Sequence, residues 1–195
     1  MSLKVYTGGM FSGKSSILIN EIVKFIYLSF NKKGLIINHQ LDRRDEINMV
    51  SSHNPLYKGL TDKIDVITTD KLSTIDVSDY DFIGVDEVNF FNNPDDLVNT
   101  IKNWIKQDKH IICAGLDGDA NMNPFGYISQ LLPISDNFIK LNAICTICRK
   151  ENGDQLTPTN ATPAPFTKKL LCDSNVIDVG GADKYIAVCR KHHSL

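Results

Sequence analysis

Three groups of residues in this 195-residue sequence have types and spacings that chemistry can use. Gly8-Gly9-Met10-Phe11-Ser12-Gly13-Lys14-Ser15 fits the pattern G-x-x-x-x-G-K-[ST], a loop whose backbone N–H groups wrap phosphate at the start of a helix. Lys14 is expected to reach the outer phosphates of a nucleotide and Ser15 to ligate Mg²⁺. The loop alone leaves the phosphate acceptor open, because ATPases, GTPases and small-molecule kinases share it. The second group is Asp86-Glu87, which follows the apolar run Phe82-Ile83-Gly84-Val85. Neighbours on a strand face opposite sides, so the two carboxylates suit different partners. We assign Asp86 to Mg²⁺ and Glu87 to removal of a proton from the attacking hydroxyl.

The third group is Cys145-x2-Cys148 with Cys189-x2-His192, two half-sites that together supply the tetrahedral ligand set Zn²⁺ takes. With all four positions filled by side chains, the metal would be structural and would clamp both ends of a long excursion. His193 is an alternative fourth ligand, because the second half-site also reads with three intervening residues. Cys113 lies in an apolar run and reads as core, whereas Cys172 has no partner at ligand spacing.

The elements that must position these groups follow from the periodicity. Leu3 to Thr7 reads as a strand, Gly8 to Gly13 as a loop and Lys14 to Phe30 as a helix. Further strands are expected at Gly34 to Asn38, Ile64 to Thr68, Asp81 to Val88 and His110 to Leu116. Asn93-Pro94 caps a helix running to about Gln107, and residues 39 to 63 read as a loop beside the site. Near-continuous apolar strands alternating with helices predict an α/β fold with a mostly parallel sheet. The P-loop places it with the nucleotide-binding members of that class. Residues 1–142 are expected to form the nucleotide-binding body and 143–195 a small zinc-stapled module.

Composition narrows the partners. A net charge of −2 and the absence of a Lys/Arg-rich stripe argue against binding a nucleic-acid polymer. No apolar run is long enough to span a bilayer, so no membrane partner is expected. Five cysteines cannot all pair within one chain, and a reducing, cytoplasmic setting is expected.

These segments together resemble the thymidine kinase family of the human cytosolic, poxviral and bacterial type. The resemblance runs over most of the chain: Gly8 to Ser15 with Met10-Phe11-Ser12, Asp86-Glu87-Val88-Asn89-Phe90-Phe91, Gly115-Leu116-Asp117-Gly118-Asp119, Pro124-Phe125-Gly126, Gly180-Gly181-Ala182-Asp183-Lys184-Tyr185 and Cys189-Arg190. It implies a RecA-like core and transfer of the γ-phosphate of ATP to the 5′-hydroxyl of thymidine and deoxyuridine, in nucleotide salvage. Glu87 is implied as proton acceptor, with Asp42, Arg43 and Arg44 near the phosphates and Arg44 able to offset developing charge. Asp86, Glu87, Val88 and Asn89 are implied in nucleotide binding. The implied nucleoside pocket takes in Val176, Ile177, Asp178, Val179, Gly180 and Tyr185. Met10, Phe90, Leu116, Phe125 and Thr167 stand nearby. The zinc-clamped excursion is implied to be a lasso whose backbone reads the base, and the resemblance implies a homotetramer.

The sequence departs from the family pattern at several positions. Ala120 stands where an aromatic residue usually faces the base, and Asp178 replaces an apolar residue. Asn89 replaces the more usual Gln, and Asn123 stands where a basic residue is common. These departures motivate an alternative, a deoxynucleoside kinase of broadened base choice. A different class, an ATP-hydrolysing switch or nucleic-acid-binding zinc module, is disfavoured by the acidic balance.

Overall fold

The computed structural model describes residues 1–29, 31–41, 61–153, 157, 159–170 and 182–193. Six strands form one sheet: β1 (Ser2–Gly8), β2 (Gly34–His39), β3 (Ile64–Thr69), β4 (Phe82–Val85), β5 (His110–Gly115) and β6 (Asn137–Leu141). Their order is β3-β2-β4-β5-β1-β6, and every neighbouring pair is parallel. Parallel neighbours need crossover connections, which is why helices cover both faces.

The two faces are legible along β5. Ile111 and Cys113 pack with Leu97, Ile101 and Trp104 of α2 (Pro94–Lys106), whereas Ile112 and Ala114 pack with Leu18, Ile22 and Ile26 of α1 (Lys14–Leu28). Each such buried aliphatic side chain contributes roughly 1.5–3 kcal/mol of transfer free energy. A Cβ added at Gly84 would lie 2.5 Å from Ile22 Cδ1, and one at Gly34 would lie 2.6 Å from Ile26 Cδ1. Glycine at both positions lets α1 seat closely on β2 and β4. At the start of α2, Asn93 Oδ1 accepts from Asp96 N at 3.1 Å and Pro94 occupies the first turn, where its missing N–H leaves nothing unsatisfied.

Some boundaries differ from the sequence expectation. The fourth strand ends at Val85 rather than Val88, because Glu87 takes a left-handed conformation that turns the chain into a 3₁₀ turn, Val88–Phe90. The helix after the phosphate loop stops at Leu28, two residues short of the expected Phe30, which lies outside the described residues. Between β2 and β3, His39 belongs to β2 and Thr61–Lys63 form a 3₁₀ turn, while residues 42–60 lie outside the described residues. β6 and the 3₁₀ segment Ile128–Ile134 escaped the sequence reading. β6 is an edge strand with no fully buried residue, so it lacks the apolar run that marks its neighbours.

After β6 the elements are short. β7 (Ala143–Ile144) pairs antiparallel with β8 (Pro163–Ala164), and β9 (Phe166–Lys169) with β10 (Tyr185–Val188). Two helices complete this part, α3 (Thr146–Asn152) and α4 (Arg190–His193). Its buried centre consists of Ala143, Cys145, Ala164, Ala187, Val188 and Cys189. Among the described residues no helix is long and apolar enough to cross a membrane.

Candidate active site and metal centre

The phosphate loop leaves the C-terminal end of β1 and enters α1. Gly8 has φ 138° and Gly13 φ 84°, and between them Phe11 holds φ 63°, a left-handed conformation unusual for a residue with a side chain. Gly8 is also sterically required, and Gly9 is closely packed. A Cβ at Gly8 would lie 2.3 Å from the Leu141 carbonyl oxygen, and one at Gly9 would lie 3.2 Å from Thr167 Oγ1. Gly13 instead faces open space. Ser12 Oγ and the buried Lys14 Nζ both donate to Gly9 O, each at 2.8 Å. No side chain caps the N-terminus of α1, and Ser15 lies in its first turn. Such a helix start presents backbone N–H groups to an anion.

Asp86 and Glu87 stand at the same C-terminal sheet edge. Asp86 is fully buried, its backbone N donates to Ile37 O at 2.9 Å, and its Oδ1 accepts from Glu87 N at 2.9 Å. Glu87 is half-buried with φ 50°, ψ 42°. Both residues lie beyond the end of β4, so the strand alternation expected from sequence does not apply to them, and the left-handed turn at Glu87 takes its place. Val88 and Asn89 are buried behind them. The Asn89 side chain is engaged elsewhere than at the phosphate loop: its Oδ1 accepts from Leu116 N at 2.8 Å. Gly115 and Gly126 pack against Asn89, and a Cβ on Gly126 would meet Asn89 O at 2.3 Å.

Phe90 completes the turn that carries Glu87. Its ring meets Phe125 edge-on at 5.9 Å between centroids, and both rings, like Leu116, are half-buried rather than part of the core. On the other side, His39 packs against Phe90 at 5.7 Å and Phe91 at 4.7 Å. His39 Nδ1 accepts from Leu41 N at 3.1 Å, and burial lowers the ring's pKa, partly opposed by the Asp70 charge. Sequence reasoning missed His39, whose position at the C-terminal end of β2 was the available signal.

The C-terminal elements reach both sides of this crevice. Thr167 on β9 is buried, and its Oγ1 accepts from Met10 N at 2.8 Å. Tyr185 on β10 is buried, with Lys169 Nζ 6.0 Å from its ring centroid. Ala120 is half-buried, and its carbonyl accepts from His193 Nε2 at 3.0 Å. Asp42, Arg43 and Arg44, together with Val176, Ile177, Asp178, Val179 and Gly180, lie outside the described residues. So does Cys172, while Cys113 is buried in the sheet as expected.

Cys145, Cys148, Cys189 and His192 bring their ligand atoms within 4.8 Å of one another. A zinc tetrahedron has edges of about 3.8 Å between sulfurs and about 3.5 Å between sulfur and nitrogen, from its usual bond lengths. Here Cys148 Sγ lies 3.9 Å from Cys189 Sγ, and His192 Nδ1 lies 3.5, 3.3 and 3.5 Å from the sulfurs of Cys145, Cys148 and Cys189. The cluster therefore fits zinc. Burial raises the Cys145 thiol pKa, but hydrogen bonds from the Cys148 and Cys189 backbone, from His192 and from the Cys148 side chain outweigh it and bring it to about 6. That favours the thiolate a metal needs. His192 Nε2 lies 3.5 Å from Glu151 Oε1, a carboxylate within reach of the ring nitrogen that faces away from the sulfurs. Sequence reasoning missed Glu151, although an acid three residues after Cys148 on one helix was a usable signal. His193 is turned away to Ala120 and is outside the ligand cluster.

A parallel α/β sheet with a strand, glycine loop and helix at its C-terminal edge defines a P-loop nucleotide-binding protein. The crystal structure of the flagellar accessory protein FlaH from Methanocaldococcus jannaschii shares this fold, with a TM-score of 0.57 over 74% of this chain and 72% of that one at 19% identity. The family model "Thymidine kinase" matches residues 1–193. Curated thymidine kinases align over nearly the whole chain. That of Choristoneura fumiferana entomopoxvirus is 36% identical, covering 97% of this chain and 95% of its own. That of fowlpox virus is 35% identical over the same shares, and that of the bacterium Pseudothermotoga lettingae is 33% identical over 96% and 92%. The chain belongs to the thymidine kinase family. Its chemistry is that of an ATP-dependent phosphotransferase.

Proposed function

We propose that the protein moves the γ-phosphate of ATP to the 5′-hydroxyl of thymidine and deoxyuridine, a cytoplasmic step of deoxynucleotide salvage. The observation that carries this reading is the single turn after β4. It holds a half-buried carboxylate, Glu87, three residues from Phe90, whose ring meets Phe125. A proton acceptor and an apolar wall on one turn suit a sugar hydroxyl attached to a base.

In this reading the 5′ oxygen attacks the γ phosphorus. The new O–P bond forms as the bond to the bridging oxygen of ADP breaks, and the hydroxyl proton passes to Glu87. Lys14 exchanges the Gly9 carbonyl for phosphate oxygens, which the N–H groups of residues 8–15 surround. On the family resemblance Asp42, Arg43 and Arg44 are assigned to the phosphates, with Arg44 offsetting developing charge. Asp86 and Ser15 offer the hard oxygen donors that would hold Mg²⁺, whose charge offsets that of the transferring phosphoryl group. Val88 and Asn89 act from behind, with Asn89 holding the Leu116 backbone.

Residues 1–142 act as the kinase body and 143–195 as a zinc-stapled lasso. The backbone of Val176 to Gly180 reads the base, and Tyr185, Thr167, Met10, Leu116, Ala120 and Phe125 complete the pocket. The working form is a homotetramer. A labelled-ATP transfer assay against thymidine, deoxyuridine, deoxycytidine and purine deoxynucleosides tests the proposal. Transfer to the first two in marked excess is expected. Equal transfer to deoxycytidine would favour the broadened pocket suggested by Ala120, and ATP hydrolysis without any nucleoside product would overturn the kinase reading.

A further inference from the structure

We infer that His193 is a positioning residue of the nucleoside site: it fastens the metal-bearing end of the chain to the loop carrying Leu116, Ala120 and Phe125. The inference rests on the nucleoside-kinase reading above. The sequence offers two adjacent histidines, and one helical step of about 100° separates their directions. His192 faces the three sulfurs, so His193 faces away from them. Its ring is only 8% exposed, lies edge-on to Phe166 at 5.6 Å and has Nε2 3.0 Å from the Ala120 carbonyl. A carbonyl can only accept, so Nε2 carries the proton.

The donor stands on firm ground. His193 N donates to Cys189 O at 2.9 Å and His192 N to the same oxygen at 3.1 Å, so α4 turns directly on a metal ligand. Lys168 Nζ donates to His192 O at 3.1 Å, and the Arg190 guanidinium lies 4.7 Å from the Phe166 ring centroid.

The receiving loop is tied to itself. Asp119 Oδ1 accepts from Asn121 N at 2.9 Å and Asn123 N at 2.8 Å, Asp119 N donates to Asn123 O at 2.9 Å, and Phe125 N donates to Asp117 O at 3.2 Å. Its first residue is rooted by Leu116 N donating to Asn89 Oδ1. A loop braced in this way passes a displacement at Ala120 on to Leu116 and Phe125. Among the contacts that the described C-terminal residues make with the body are Thr167 on the phosphate loop, Phe166 beneath Lys140 of β6, and His193 on the nucleoside loop. Loosening the last should weaken nucleoside binding and spare ATP.

The test compares His193→Phe, which keeps a ring against Phe166 but removes the donor, with His193→Gln, which returns an amide donor near the same place. Wild-type transfer to thymidine is measured first, since its absence refutes the kinase reading itself. With an active wild type, His193→Phe should raise KM for thymidine about 3- to 10-fold, the value of one hydrogen bond. KM for ATP should stay within about twofold, zinc per chain should be unchanged, and His193→Gln should recover most of the loss. Thymidine affinity by calorimetry should fall in parallel. Should His193→Phe not fold, His193→Asn, too short to reach Ala120, takes its place with the same expectation. An unmoved thymidine KM, an equal rise for ATP, or loss of zinc would each overturn the role of His193.

Discussion

Met10 and Thr167, 157 residues apart in the chain, are joined by a 2.8 Å hydrogen bond from the Met10 backbone N–H to the Thr167 hydroxyl. The contact places β9 directly against the phosphate loop, and Gly9 has no side chain because one would press on Thr167 Oγ1. Thr167→Val keeps the shape and leaves the Met10 N–H without its acceptor, at a cost of roughly 1–3 kcal/mol. We expect a higher KM for ATP and for thymidine together, with Thr167→Ser restoring both. Steady-state kinetics that leave both values at the wild-type level would show that the bond does not hold the loop.

Glu87 is assigned as proton acceptor, which Glu87→Gln tests most directly because the amide matches the carboxylate in size but takes no proton. kcat should fall by about 10²- to 10⁴-fold. ATP affinity, measured separately by calorimetry, should be nearly unchanged. Undiminished turnover would remove Glu87 from the mechanism.

How much of this was legible in the sequence depends on how locally each feature is specified. The phosphate loop, the Asn93-Pro94 start of α2 and the three cysteines of the two metal half-sites depend on spacing within a few residues, and the structure places them where the spacing put them. The choice between His192 and His193 was not legible, because it depends on where α4 points once Cys189 and Ala120 are in place. The backbone at Glu87 was not legible for a related reason: its φ is set by the turn into Phe90, which no local rule for an acid predicts. Asn89 is implied in nucleotide binding by the family resemblance, and what the sequence does not show is that its side-chain oxygen accepts from Leu116 N, 27 residues away.

His39 gives the fold a pH dependence of definite sign. Its pKa is lowered in the folded protein, chiefly by burial, while in the unfolded chain it titrates near 6.5. Below about pH 6.5 the unfolded state therefore binds more protons, and stability falls as pH falls toward the lower, folded value. Protonation also sets an Nδ1–H against the Leu41 N–H that this nitrogen now accepts. His39→Phe keeps an aromatic ring beside Phe90 and Phe91 and should flatten the acid limb of the stability curve. Denaturant midpoints with the same slope below pH 6.5 in both proteins would contradict this.

Gly126 marks where the nucleoside loop meets the catalytic turn. Its φ is 62°, and a Cβ there would lie 2.3 Å from Asn89 O and 2.7 Å from Asn89 Cα. Those are backbone atoms, which cannot swing aside as a flexible side chain can. Gly126→Ala should therefore push Phe125 away from Phe90, destabilise the protein by about 2 kcal/mol or more, and raise KM for thymidine more than KM for ATP. A variant with wild-type stability and nucleoside KM would mean the loop relaxes without consequence.

Metal removal should separate the small C-terminal part from the body. The six residues buried at its centre are three alanines, two cysteines and one valine, with Ile147, Phe166 and Ile186 partly buried against them, a small apolar volume to hold two short antiparallel strand pairs and two short helices. Two of the six are themselves cluster members, so a third of this buried centre belongs to the metal site. Binding energy at a structural zinc is folding energy, and its loss should be felt first in residues 143–193. Elemental analysis should find one zinc per chain, and Cys148→Ser should reduce it sharply. Chelation should raise backbone hydrogen exchange in β9, β10 and α3 while β1, β4 and β5 stay protected. Thymidine affinity should fall with it and return on adding zinc. A chelated protein with full protection in β9 and β10 would show that the cluster is not what holds them.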